Sequence, residues 1–406
     1  MEDLRKLYGR TVTEFFGRVN YLSSEFGDKF RRSTEGARLF SAPGRAEIVG
    51  NHTDHNRGKV LVGAISSDIL AFAEPADTGA VEIVSQGFKP IRVELNSLTP
   101  VPSEQGTPAA LVRGVLKKMT EEGYPVGGVR AAMNSTLIRG AGMSSSAAFS
   151  VLVAVMVNAF YGGKTLAPEN AARIAQYAEN IYFGKPCGLA DQMAIALGGM
   201  NKVDFVEPEN PACMNVPVPV GYSLVLTHTG GSHAALTSHY AAIREEMASV
   251  AAFFGKKYLR EIAADQVYAE APALRKKVGD RAIVRALHFF EENRRVDRAA
   301  EALVRADMMA FLSAVRASGE SSLKYLQNCY VPGGDEQPIT LALKLSEKYI
   351  KDGAFRIMGG GFSGAVLAFV REEQEEAYIK NMGRTFGAEN VFVADIRSIG
   401  ATELNT

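Results

Sequence analysis

At 406 residues the chain exceeds what one hydrophobic core usually supports, so two domains are expected. Hydrophobic residues make up 47% and charged residues 22%, an ordinary soluble composition without a membrane-length apolar run. The 45 Lys and Arg balance 45 Asp and Glu, which argues against a partner such as nucleic acid or an anionic membrane.

The start, "MEDLRKLYGR", has no apolar h-region, so no secretory signal is expected. Cys187, Cys213 and Cys329 are far apart without C-x-x-C spacing. Neither a disulfide framework nor a zinc site is expected, which points to the cytoplasm. Residues 36–100 read as strands and turns, with "RAEIVG", "KVLVGAI", "DILAFAEP" and "AVEIVSQ" as short β-branched runs. The spacing predicts a helix over 107–123, a strand over 128–138 and an amphipathic helix over 167–184. A proline-dense patch at 207–221 is the candidate boundary between domains 1–215 and 216–406. Helical texture dominates from about 233 to 328, and "FRIMGGGFSGAVLAFV" reads as strand, glycine turn, then strand or helix. The fold class is α+β. His228, His233 and His239 read as ordinary polar residues.

The stretch "GAGMSSSAAFSVLVAVMVNAF" (140–160) sets glycines and three serines before an apolar run. A helix N-terminus carries unpaired N–H groups and partial positive charge, while Gly140 and Gly142 allow close backbone approach. Ser144, Ser145 and Ser146 can cap the helix, bond phosphate oxygens or give a hydroxyl to magnesium. A plain capped helix explains this stretch equally well by itself, and it is not a Walker A loop. "SAPGRAEIVGNHTDHNRGKVLVGAI" (41–65) and "IMGGGFSGAVLAF" (357–369) add two more glycine-rich segments.

Together these segments resemble the GHMP kinases and, within them, the galactokinase family. "GRAEIVGNHTDHN" is similar to the first family signature, "IRGAGMSSSAA" to the second and "MGGGFSGA" to the third. "GKPCGLADQ" resembles the segment around the family's catalytic aspartate. The resemblance implies a two-lobed GHMP kinase fold, with an N-terminal ribosomal-S5-domain-2-like lobe and a C-terminal ferredoxin-like lobe. It also implies ATP and Mg2+, a sugar substrate, and phosphorylation of the anomeric C1 hydroxyl of a galactose-configured sugar.

Carried over residue by residue, Asp191 and Arg45 are expected to be catalytic. Gly140, Ala141, Gly142, Ser144, Ser145, Ser146, Gly360 and Gly361 would bind ATP. Ser145, Ser146 and Glu179 would hold the metal, and Asn51, His52, Asp54 and Tyr240 would face the sugar. The oligomeric state stays open, with a monomer the simplest expectation.

The chain departs from the pattern at Asn51, where the family has Glu, at Glu47, where it has Asn, at His55 for Tyr, and at Ile138 for Pro. Segment 317–339 also lacks the family's usual motif. Losing a carboxylate at 51 would remove repulsion against a C6 carboxylate, worth about 4 kcal/mol for like charges 4 Å apart at an effective dielectric near 20. Galacturonate is therefore an alternative to galactose, though only Arg57 and Lys59 lie near in sequence to receive it. A non-catalytic sugar sensor is disfavoured because "SSSAAFS" is intact.

Overall fold

The structure is a computed structural model that describes residues 2–138, 140–162, 165–230 and 236–404; His233 lies outside them. Two helices come first, α1 (Glu2–Tyr8) and α2 (Val12–Phe30), in a region for which sequence texture offered no element. Next are β1 (Arg38–Val49), β2 (Lys59–Pro75), β3 (Ala80–Ser85) and β4 (Ile91–Glu94). The runs 59–65 and 68–75, expected as two strands, are one strand of 17 residues. Polar Ser66, Ser67 and Asp68 imitate a turn in composition. Here β1 pairs along both halves of β2, while β6 and β5 divide its other edge.

Helix α3 (Pro108–Glu121) starts with Pro at its first position, and Gly123 follows its end at φ 74°. Strand β5 (Val129–Ser135) leads to α4 (Ser145–Tyr161), then α5 (Pro168–Tyr177) and α6 (Ala190–Leu197). The expected helix 167–184 changes at residue 178 into a π-helical turn that closes at Gly184. Strands β6 (Met200–Asp204) and β7 (Ala212–Val216) complete an eight-stranded sheet whose main path is β12-β1-β2-β5-β3-β4. Its β12 (Thr402–Leu404) is the last strand of the chain and pairs antiparallel with β1. Helix α4 is apolar all round, as suits an element covered on every side, and it packs on β1, β2, α3, α5 and α6.

From β8 (Tyr222–His228) the chain builds a second antiparallel sheet, ordered β11 (Val391–Val393), β8, β10 (Ala365–Arg371) and β9 (Ala354–Met358). Between its strands lie α7 (Thr237–Phe253), α8 (Ala264–Ala269), α9 (Ala271–Lys277), α10 (Asp280–Val304), α11 (Met308–Ser321) and α12 (Pro338–Tyr349). Strands β9 (Ala354–Met358) and β10 (Ala365–Arg371) flank the third glycine segment, so its second arm is a strand. Helix α13 (Glu375–Phe386) and β11 (Val391–Val393) follow, and α12 and α13 cover this sheet. The α+β class expected from the sequence holds. No helix among the described residues is long and apolar enough to cross a membrane.

A buried polar knot ties the chain ends to the large sheet. Asp68 on β2 is fully buried, pairs with Arg18 of α2 at 2.7 Å, accepts from Tyr8 at 2.9 Å and from Ser41, and lies 3.7 Å from Arg397. Removing one member of such a pair leaves buried charge uncompensated. Asp68→Ala should therefore cost about 3 kcal/mol in urea unfolding; a loss indistinguishable from zero would mean that the knot does not hold the ends.

Candidate active site

The first signature lies on β1, whose register against β2 shifts between Pro43 and Arg45. A bulge there re-aims the following side chain. Arg45, nearly buried, is turned onto Asp191 in the first turn of α6, with Nε 2.7 Å from Oδ1. Its other arm donates to the carbonyl of Gly142, which sits in the left-handed region at φ 67°. The second Asp191 oxygen accepts from the hydroxyl of Ser144. Ser144 occupies the N-cap position of α4 at φ 58° but makes no side-chain cap. Its hydroxyl serves the carboxylate instead, so the first turn of α4 has no side-chain cap. Burial pushes the Asp191 carboxyl up, yet Arg45, Lys185 and Ser144 outweigh it and hold the group below its ordinary 3.8. An ionised carboxylate of this kind can orient and deprotonate a hydroxyl.

Glu179 sits in the π-helical turn, fully buried, with neither carboxylate oxygen hydrogen-bonded. Its ionic neighbour is Lys185, 3.4 Å away, whose ammonium also reaches the hydroxyl of Ser146 at 3.5 Å. Ser145 and Ser146 open α4. A buried carboxylate with unmet lone pairs next to a serine hydroxyl suits a magnesium ion, which takes one or two carboxylates and keeps several waters.

The residues expected to face the sugar converge on the third glycine segment. Asn51, His52 and Tyr240 bond to three successive carbonyls, those of Gly359 (2.6 Å), Gly360 (2.9 Å) and Gly361 (2.8 Å). A Cβ at Gly360 would stand 2.7 Å from the Tyr240 ring, so only glycine allows this approach. Burial raises the Tyr240 hydroxyl to about 12 and lowers both His52 and His55, leaving the imidazoles neutral at pH 7. Asp54, in the short turn between β1 and β2, packs against the turn before α6: a Cβ on Gly188 would overlap its carboxylate, which burial and the charge of Asp191 raise above 3.8. Beyond Asp54 opens a cavity of about 430 Å³ lined by His55, Arg57, Gly188, Arg244 and Tyr258, among others.

The departures from the signatures touch one another. Asn51 is fully buried, and its amide donates to Glu47 at 2.8 Å as well as to Gly359. Its amide oxygen accepts from Asn328 (2.8 Å) and Ser322 (3.3 Å), both in the divergent 317–339 segment. Glu47, raised by burial, is held by the fully buried Arg356 at 3.1 Å. The carboxylate missing at 51 is thus carried by its hydrogen-bonded neighbour at 47. Of the two nearby cations, Lys59 is taken by Asp297 at 2.6 Å, and Arg57 stacks over Tyr258. Sequence reading missed Lys185, Glu47, Arg356, Asn328 and His288; the last bonds the Asn51 carbonyl at 3.0 Å and is lowered by burial to about 4. Only the paired departures at 47 and 51 signalled any of this.

Comparison with known proteins fits this geometry. Residues 24–75 match the galactokinase galactose-binding signature, and 110–199 match the GHMP kinases N terminal domain. A galactokinase of Actinobacillus pleuropneumoniae serotype 3 is 31% identical over 347 residues, covering 84% of this chain and 87% of its own. The chain belongs to the galactokinase family. It is a sugar kinase, a phosphotransferase. A galactokinase of Streptomyces coelicolor is 30% identical over 369 residues, 89% of this chain and 92% of that one. In fold, Lactococcus lactis galactokinase complexed with galactose superposes with a TM-score of 0.83 at 24% identity, covering 95% of this chain and all of that one. Methanococcus jannaschii mevalonate kinase reaches 0.63 at 14% identity over 89% and 98%.

Within this family the 47/51 pair has a testable consequence. Asn51→Glu alone sets a second carboxylate against Glu47 and should cost about 2–4 kcal/mol in urea unfolding. The double exchange Glu47→Asn/Asn51→Glu should recover most of that loss. If the losses simply add, the two positions are not coupled.

Proposed function

We propose that this chain transfers the γ-phosphoryl group of ATP to the anomeric C1 hydroxyl of galactose. The observation that carries the reading is Asp191, kept ionised by Arg45 and set beside the open start of α4. The nucleotide phosphates lie against Gly140–Ser146 and the N–H groups of that helix, closed over by Gly360 and Gly361. The sugar lies along His52, Asp54 and Tyr240, with His52 and Tyr240 exchanging their contacts with the glycine carbonyls for hydroxyl contacts. The C1 oxygen attacks the γ-phosphorus, the bond from that phosphorus to the β-bridging oxygen breaks, and the hydroxyl proton passes to Asp191. Arg45 holds the carboxylate in line and offsets negative charge as the oxygen attacks. Glu179, with Ser145 and Ser146, would hold Mg2+, which supplies neutralising charge to the phosphates.

Two features support galactose over its 6-carboxylate. The carboxylate at Glu47 persists beside position 51, and Lys59, one of the two cations near in sequence, is bound by Asp297. Release of ADP should be faster with galactose than with galacturonate, and 31P NMR should find phosphate on C1. Preference for galacturonate would overturn the substrate assignment. Asp191→Asn should lower kcat by about a hundredfold or more while leaving galactose affinity within a few-fold.

The pH dependence has a defined sign. Asp54 is raised and Asp191 lowered from the same 3.8, so Asp54 takes up its proton first as pH falls. KM for galactose should rise on acidification before kcat declines. A fall in kcat at constant KM would contradict the assigned roles.

A further inference from the structure

The glycine–serine loop Gly140–Ser146 contains no lysine, unlike loops that pair a phosphate-binding lysine with their backbone cradle. The structure brings one from elsewhere. The π-helical turn 178–183 ends at Gly184, φ 79°, and the Lys185 N–H donates to the Glu179 carbonyl at 3.0 Å. The chain is thereby folded back, so that Lys185 stands over the glutamate of its own turn. Its ammonium lies 3.4 Å from that buried carboxylate and 3.5 Å from the Ser146 hydroxyl at the start of α4.

This lysine is held from one side only. Its side chain is half exposed, whereas Glu179 is sealed, and its ammonium stands at the mouth of α4 through the Ser146 contact. A pair exposed on one side contributes little to folding, which leaves stability a poor reason for this placement. Its charge also helps to keep Asp191 ionised. Where Glu179 serves a divalent cation as well, a nucleotide phosphate is the anion that can take its place as a direct partner of the ammonium.

We propose that Lys185 is a phosphate-binding residue of this site, contacting the terminal phosphate oxygens of the nucleotide and adding a fixed positive charge that the loop itself lacks. The inference rests on the kinase reading above.

The test is calorimetric titration of ADP into the full chain, in EDTA and again with magnesium, for wild type, Lys185→Met and Lys185→Arg. In EDTA, Lys185→Met should weaken ADP binding about tenfold and Lys185→Arg should keep most of it, as loss of one charge-assisted phosphate contact requires. Galactose affinity should be unchanged in both variants. Equal ADP affinity of wild type and Lys185→Met in EDTA would overturn the role of Lys185. Parallel loss of ADP and galactose binding would also overturn it, by showing a structural role. Failure of the wild type to bind ADP even with magnesium would instead overturn the kinase reading on which this one stands.

Discussion

Arg45 and Asp191 are 146 positions apart, and the contact between them fixes where three segments of the chain stand. The arginine comes off the bulged part of β1 and the aspartate off the first turn of α6. The same arginine holds the Gly142 carbonyl, and the same aspartate accepts from Ser144. One buried charge pair therefore sets strand, glycine–serine loop and helix in a single register. It keeps the carboxylate charged despite burial, because the guanidinium, the charge of Lys185 and the Ser144 hydroxyl offset the lost hydration.

Around this pair the site has two sides with different logic. On the side of α4, the uncapped helix start and the half-exposed Lys185 ammonium set positive charge around the buried, unbonded carboxylate of Glu179. On the sugar side, neutral imidazoles, a phenol and a carboxylate raised by burial form a hydrogen-bonding surface. The glycine segment 359–361 bridges the two, its carbonyls held by Asn51, His52 and Tyr240. Through these hydrogen bonds the first signature and α7 are both tied to the third glycine segment.

The departures from the family pattern carry a lesson about reading single positions. Asn51 by itself suggests a lost charge, and Glu47 by itself an unrelated gain of one. In the fold their side chains meet, Arg356 neutralises the displaced carboxylate, and Asn328 and Ser322 complete the amide's partners. A buried polar group needs all its partners, so a change at one position forces changes at its neighbours. Segment 317–339 differs where it touches Asn51, which no linear comparison of motifs reveals.

Much of the site was legible beforehand because glycine, serine and charged residues at fixed spacing are chemically demanding. The left-handed backbone of Gly142 favours glycine and the close approach at Gly360 requires it, and Asp191 stood out in its "CGLADQ" segment. Element types followed from periodicity for α3, β5 and the helices after 237. Periodicity failed where neighbours overrule local composition, as in the polar middle of β2 and the π-helical end of α5. The sequence by itself, through its resemblance to the galactokinases, determined which residues were candidates for phosphate, sugar and proton, because side-chain chemistry and backbone freedom are local properties. Tertiary structure alone decided that Ser144 serves Asp191, that Lys185 stands over Glu179 and that Glu47 answers for Asn51, because those pairings depend on distances that only packing sets.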